Sequence, residues 1–128
     1  MKWIDTQRLI RGAVLPKKTA ILKCDGVGRR MVTAHTDQKI SMRTGATTEQ
    51  TKRISYHMLR YAFETLEGHG RFDSSDFRSK FPGAYAAAPC RFSMTGGVLV
   101  EVGLAKLVPG AGEKACHYVK PSQSKTAV

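Results

Sequence analysis

Acidic residues are what this chain has too few of. Ten Asp and Glu stand against 21 Lys and Arg, a formal charge of +11 with histidine neutral. A field of that sign attracts polyanions before any specific contact forms, and nucleic acid is the first partner it suggests. Solubility alone is the plainer use of the same charge. Cysteine is also scarce: Cys24, Cys90 and Cys116 are odd in number and far apart. No two stand at Cys-x-x-Cys spacing and no histidine lies at zinc-finger distance from a cysteine pair, which argues against a disulfide scaffold or a zinc site. Free, reduced thiols suit the cytoplasm. Long apolar runs are missing too. Nothing approaches the ~20 residues of a transmembrane helix, so no membrane partner is expected. Asp5, Gln7, Arg8 and Arg11 interrupt any signal-peptide core.

An enzyme's constellation is equally hard to find. His57 and His69 flank a helical stretch without a partner nearby in sequence. Cys116 and His117 are neighbours on an expected strand, where adjacent side chains point to opposite faces. Asp73 and Asp76 are explained by helix capping. Gly26-Val27-Gly28 lacks both the Walker lysine and the complete Gly-x-Gly-x-x-Gly pattern. Trp3 and Phe63 read as packing residues. No catalytic residue, cofactor or metal is assigned, and the chain is read as a non-enzyme.

What is present is a chain of 128 residues, enough for one modest domain with an extension. The boundary is placed near Gly45–Thr48. Residues 1–46 are expected to form a basic N-terminal extension, 47–120 the main domain, and 121–128 a flexible tail. Within the extension, Thr19-Ala-Ile-Leu-Lys-Cys24 and Arg30-Met-Val-Thr-Ala-His35 flank an Asp25-Gly26 turn signal, which suggests a β-hairpin over 19–35. Residues 36–47 read as a polar linker.

The main domain opens on a helix signal. Thr47 can cap it, Gln50 can close a capping box, and Ile54, Met58, Tyr61, Ala62 and Leu66 recur at three- and four-residue steps until Gly68. A short extended link at Arg71-Phe72 follows. Asp73 then caps a second helix from Ser74 to about Phe81, with Asp76 completing its capping box and Pro82-Gly83 ending it. Ala84–Ala88 is a loop or a helical turn. Pro89 suits the first turn of a third helix from Arg91 to about Val102. Gly96-Gly97 oppose that helix by about 1 kcal/mol each, and Val98, Val100, Val102 and Leu104 alternate as a strand would. The helix is preferred. Leu104–Val108 and Lys114–Val119, around Pro109-Gly110-Ala111-Gly112, form the arms of a hairpin.

Helix, extended link, helix, helix and hairpin, with Gly103-Leu104 leading into the hairpin, resembles the winged-helix variant of the helix-turn-helix. The fold class is therefore α+β, a winged helix of three helices plus a β-hairpin wing, behind a basic extension. The resemblance implies a third helix lying in the major groove of duplex DNA and a hairpin reaching a flanking groove or the backbone. Arg91, Ser93 and Thr95 then lie early in the reading helix. Arg78 and Lys80 on the second helix clamp phosphates. Lys106, Lys114 and Lys120 bracket the wing. Gly96 and Gly97 would let a backbone come close to a partner, or mark a turn.

Arg29 and Arg30, with Lys17-Lys18 and Arg8/Arg11, give the extension its own basic character. It is either an arm on a groove or backbone, or a solubilising extension or strand pair packed on the main domain. The leading function is duplex-DNA binding in transcription regulation or DNA organisation. An RNA-binding or ribosome-associated accessory protein, and a phage- or plasmid-type inhibitor docking on a host protein, are the rivals. Homodimerisation through the first helix stays open.

Overall fold

Alternation of apolar and polar side chains builds the first half of the molecule. The computed structural model describes residues 1–43, 50–110 and 115–121. It opens with helix α1, Trp3–Ala13, whose Thr6 and Ile10 face inward together with Val14 just past its end. Strands β1 (Ala20–Leu22), β2 (Arg29–His35), β3 (Lys39–Arg43) and β4 (Thr51–Ser55) follow. They pair antiparallel in the order β1-β2-β3-β4. Ile21, Val32, Ile40, Met42 and Ile54 point to one face and are buried there.

The hairpin expected over 19–35 is present. Asp25 closes its turn, with Oδ1 accepting from the Val27 and Gly28 amides at 2.8 and 2.9 Å. Two expectations for the neighbouring residues need correction. The 36–47 linker contains β3, because Ile40 and Met42 have inner-face partners to pack with. Thr51–Ser55 is strand β4, in register with β3 through Ile40 opposite Ile54, and not the first turns of a helix. Thr47 and the boundary at Gly45–Thr48 lie outside the described residues.

Helix α2 therefore starts later than its sequence signal, at Tyr56, and runs to His69. Ser55 is its cap, accepting from the Met58 amide at 3.2 Å. Gly70, with φ of +75°, ends it in the left-handed conformation that suits glycine, while Gly68 is helical. Strand β5 (Arg71–Asp73) leads into α3 (Ser74–Lys80). The capping box is formed as expected: Asp73 Oδ1 accepts from the Asp76 amide at 3.1 Å, and Asp76 Oδ2 from the Asp73 amide at 3.0 Å. Pro82 ends α3 and opens a short α4, Pro82–Ala87.

Helix α5 runs from Cys90 to Glu101, so the helical reading of residues 91–102 holds over the strand-like alternation. The hairpin β6 (Lys106–Val108) and β7 (His117–Val119) completes the described chain. In a second antiparallel sheet of order β5-β7-β6, β7 lies between β5 and β6.

Between the sheets lies α5, and its double glycine permits it. A Cβ at Gly96 would overlap the Tyr118 ring of β7. One at Gly97 would overlap Ile21 of β1 and come 2.9 Å from the Leu22 carbonyl oxygen. Residues 92–99 are consequently all buried. Ile10, Val14, Ile21, Val32 and Ile40 share one core with Leu59, Phe92 and Tyr118. The first 43 residues are thus α1 and three strands packed on the rest of the chain, and not a trailing arm. The architecture is α+β.

Candidate nucleic-acid interface

Because β1–β4 bury one face, period-two alternation sends the other face outward. Arg29 and Met31 on β2, Lys39 and Arg43 on β3, and Thr51 and Arg53 on β4 are exposed there. Strand pairing sets their neighbours: Arg29 lies opposite Leu22, Arg53 opposite Ser41, Lys39 opposite Ser55, and Arg43 opposite Thr51. None of the residues in these four strands is acidic, and none is Phe, Tyr or Trp. Among the described residues, every side-chain ion pair lies elsewhere: Arg60 with Glu64, Arg71 with Asp73, and Lys120 with Glu67. Arg29 Nη1 donates to the Ala20 carbonyl at 3.1 Å, laying that guanidinium along the sheet. The result is a face with four exposed cations and, among the described residues of the strands, no carboxylate between them.

Burial removes several of the residues expected to read DNA. Ser93 and Thr95 have no exposed surface. Ser93 Oγ donates to the Cys90 carbonyl at 3.1 Å and Thr95 Oγ1 to the Arg91 carbonyl at 2.7 Å. Arg30 alternates away from Arg29 to the inner face, is 7% exposed, and donates from Nη1 to Ser93 Oγ at 3.0 Å. Arg91 spends its guanidinium internally, with Nε donating to the Arg53 carbonyl at 2.9 Å and Nη1 to the Ala84 carbonyl at 3.1 Å. Helix α5 is in place but covered, so a groove-reading role for Arg91, Ser93 and Thr95 is corrected to a structural one. The expected close approach at Gly96-Gly97 is real, and what approaches is the protein's own two sheets.

Two further groups of cations lie away from this sheet. Arg78 and Lys80 are exposed at the end of α3, with Lys80 Nζ 5.9 Å from the Tyr61 ring centroid. On the second sheet, Arg71 and Lys106 both lie opposite Val119 and so share a face. Lys120 follows them and pairs with Glu67 at 3.4 Å. His117 shares the Arg71 face, opposite Asp73. Burial, and then the Arg71 charge, hold its imidazole below the ordinary histidine value, against the opposing pull of Asp73. Lys114 lies outside the described residues.

Sequence reasoning missed Lys39, Arg43, Arg53 and Arg71. The signal was available in Lys39-Ile-Ser-Met-Arg43, where apolar residues alternate with polar ones, once that stretch is read as a strand. Among the described residues no group of three or more His, Cys, Asp or Glu is arranged to hold a metal ion, and no helix is long and apolar enough to cross a membrane. Cys24 and Cys116 are buried and Cys90 is half-buried. Comparison with protein families, with characterised proteins and with solved structures finds no match to this chain.

Proposed function

We propose that this protein binds nucleic acid, with duplex DNA as its preferred form, through the outer face of the first sheet. The observation that carries the reading is the exposed set Arg29, Lys39, Arg43 and Arg53, none of them in an ion pair among the described residues. Cations without carboxylate partners neutralise phosphates and release condensed counterions, which is the main source of sequence-independent affinity. The sheet offers no aromatic side chain on which unpaired bases could stack, and such stacking is how many single-strand binders hold their ligand. That favours a phosphate backbone presented by a duplex.

The second half supports a winged-helix reading of the fold. Its order α2, β5, α3, α4, α5, β6, β7 and its sheet order β5-β7-β6 are the features that support that reading, with α4 read as an added turn of helix. In this version the third principal helix is structural, and the wing strands bring Arg71, Lys106 and Lys120 as a secondary cationic patch. We infer from such duplex binding a role in transcription regulation or DNA organisation.

Fluorescence anisotropy against duplex DNA, single-stranded DNA and structured RNA, each at low and physiological salt, tests the reading. Preferential duplex binding with a steep salt dependence is expected. A preference for RNA, or no binding to any of the three, would overturn it.

A further inference from the structure

Aromatic residues absent from the sheet face reappear in a cleft at its margin. The cleft has a volume of about 430 Å³ and is lined by Trp3 of α1, Tyr56, His57 and Arg60 of α2, and Asp37 and Lys39 around the β2–β3 turn. That volume is within the usual range for small-molecule sites.

One wall is aromatic and held from behind. Trp3 is half-buried and sets its ring at 64° to Tyr56, centroid to centroid 6.3 Å. The Tyr56 hydroxyl lies 2.6 Å from His35 Nε2, and His35 Nδ1 lies 2.7 Å from the Val14 carbonyl oxygen. That carbonyl can only accept, so Nδ1 carries a proton and donates to it, while Nε2 shares a hydrogen bond with the tyrosine hydroxyl. Arg11 covers the Tyr56 ring at 5.1 Å and ties itself to the Asp37 carbonyl at 2.9 Å. The wall is therefore preorganised.

The other wall is charged. Lys39 has no ion-pair partner among the described residues, His57 is exposed, and Arg60 is shared with Glu64. Asp37 is the single carboxylate in the lining, and it opposes a ligand with several phosphates. Lys39 belongs both to this cleft and to the cationic sheet face, so a phosphate chain crossing the sheet leads into the cleft.

We propose that this cleft takes one nucleotide unit, its base against the Trp3 indole and its single phosphate on Lys39 and His57. The unit is either a free nucleoside monophosphate or the unpaired terminal nucleotide of a strand whose duplex lies on the sheet. The continuity through Lys39 rests on the proposed sheet interface, but the cleft has its own readout. Trp3 is the only tryptophan in the chain, so its fluorescence reports occupancy directly.

The experiment titrates the full chain with adenosine 5′-monophosphate, ribose 5-phosphate, a closed DNA dumbbell without ends, and the same duplex opened to leave one unpaired adenosine. Saturable quenching by the monophosphate and the overhang is expected, with none by ribose 5-phosphate or the dumbbell. An overhang bound at least about five-fold more tightly than the dumbbell identifies the strand end as the source, that gain being the low end for one base on an aromatic ring. Equal affinity for both duplexes identifies the free nucleotide. The exposed His57→Ala variant should weaken monophosphate binding several-fold and leave dumbbell affinity unchanged. Tryptophan emission silent to monophosphate and overhang, or quenching that never saturates and ignores His57→Ala, overturns the cleft while dumbbell binding leaves the sheet standing. Saturable monophosphate quenching without any duplex binding overturns the sheet interface and retains the cleft.

Discussion

The Arg30 guanidinium donates from Nη1 to Ser93 Oγ at 3.0 Å, joining β2 to α5 inside the core. It makes no ion pair with any described carboxylate, and its Nε is buried without a hydrogen-bond partner. A buried cation held by one hydroxyl, with Asp25 acting on it only at a distance and outside an ion pair, sits in a poor electrostatic position, because its desolvation is weakly offset. An unbranched apolar residue of similar reach should do better. Arg30→Met is expected to leave the unfolding free energy unchanged or to raise it, by up to about 1–4 kcal/mol where buried charges are replaced by packed apolar groups. Arg30→Ala should lower stability through the void it leaves. Neither variant should alter duplex affinity at a fixed salt concentration. A clear loss of stability in Arg30→Met would show that the Ser93 bond outweighs the buried charge.

The double glycine gives a sharper packing test. A methyl at Gly96 meets the Tyr118 ring, and one at Gly97 meets Ile21 and the Leu22 backbone. Helix propensity alone would make glycine-to-alanine favourable by about 1 kcal/mol, so propensity and packing predict opposite signs. Packing should win, because a Leu22 carbonyl oxygen cannot swing away as a long side chain can. Gly97→Ala is expected to cost at least about 2 kcal/mol in chemical denaturation, within the overpacking range. Gly96→Ala should also destabilise, less so if Tyr118 turns. Stabilisation by either substitution would mean that α5 is not clamped between the sheets.

Legibility along the chain followed how local each signal was. The Asp73–Asp76 box spans three residues and could be read directly, as could the Asp25-Gly26 turn and the order of elements after Gly70. Helix α1 was harder, because Thr6, Ile10 and Val14 make a narrow inward stripe while Ile4, Leu9 and Leu15 are apolar but exposed. Thr47 with Gln50 signalled the start of α2, whereas Ser55 caps it in the fold. The choice between them depended on Ile54 pairing with Ile40, a tertiary fact. The interface was least legible. Basic residues are visible in any sequence, but Arg29 and Arg30 part company only once β2 is known to bury one face, and Ser93 and Thr95 vanish only once two sheets close over α5.

Asp73 links the fold to acidity. Burial pushes its carboxyl up, but hydrogen bonds from the Ser75 hydroxyl and the Asp76 amide, with the Arg71 charge, leave it below the ordinary aspartate value of 3.8. A carboxyl lowered in the folded state contributes stability that is full above the unfolded value and is lost as pH falls through the folded one. Stability should therefore decline as pH drops below about 4. Asp73→Asn should flatten part of that decline, because asparagine can still cap but does not titrate. Asp73→Ala should cost about 1 kcal/mol near neutral pH through the lost cap. Denaturant midpoints collected from pH 2 to 7 check both, and an Asp73→Asn curve parallel to that of the parent would assign the acid response to other carboxyls.

Salt dependence separates the three groups of cations. Each phosphate contact that is lost lowers the slope of log affinity against log salt by about 0.9 on duplex DNA. Arg29, Arg43 and Arg53 are exposed and make no ion pair with a described carboxylate, so replacing each by Ala should leave the thermal midpoint nearly unchanged while stepping the slope down one contact at a time. Arg78→Ala with Lys80→Ala tests α3, and Lys106→Ala with Lys120→Ala tests the second sheet. Lys120 is already paired with Glu67 at 3.4 Å, so its removal should matter less than that of Lys106. If the slope falls with the α3 or second-sheet variants and not with Arg29, Arg43 and Arg53, the duplex lies on the other side of the molecule. The first sheet would then serve only to cover α5.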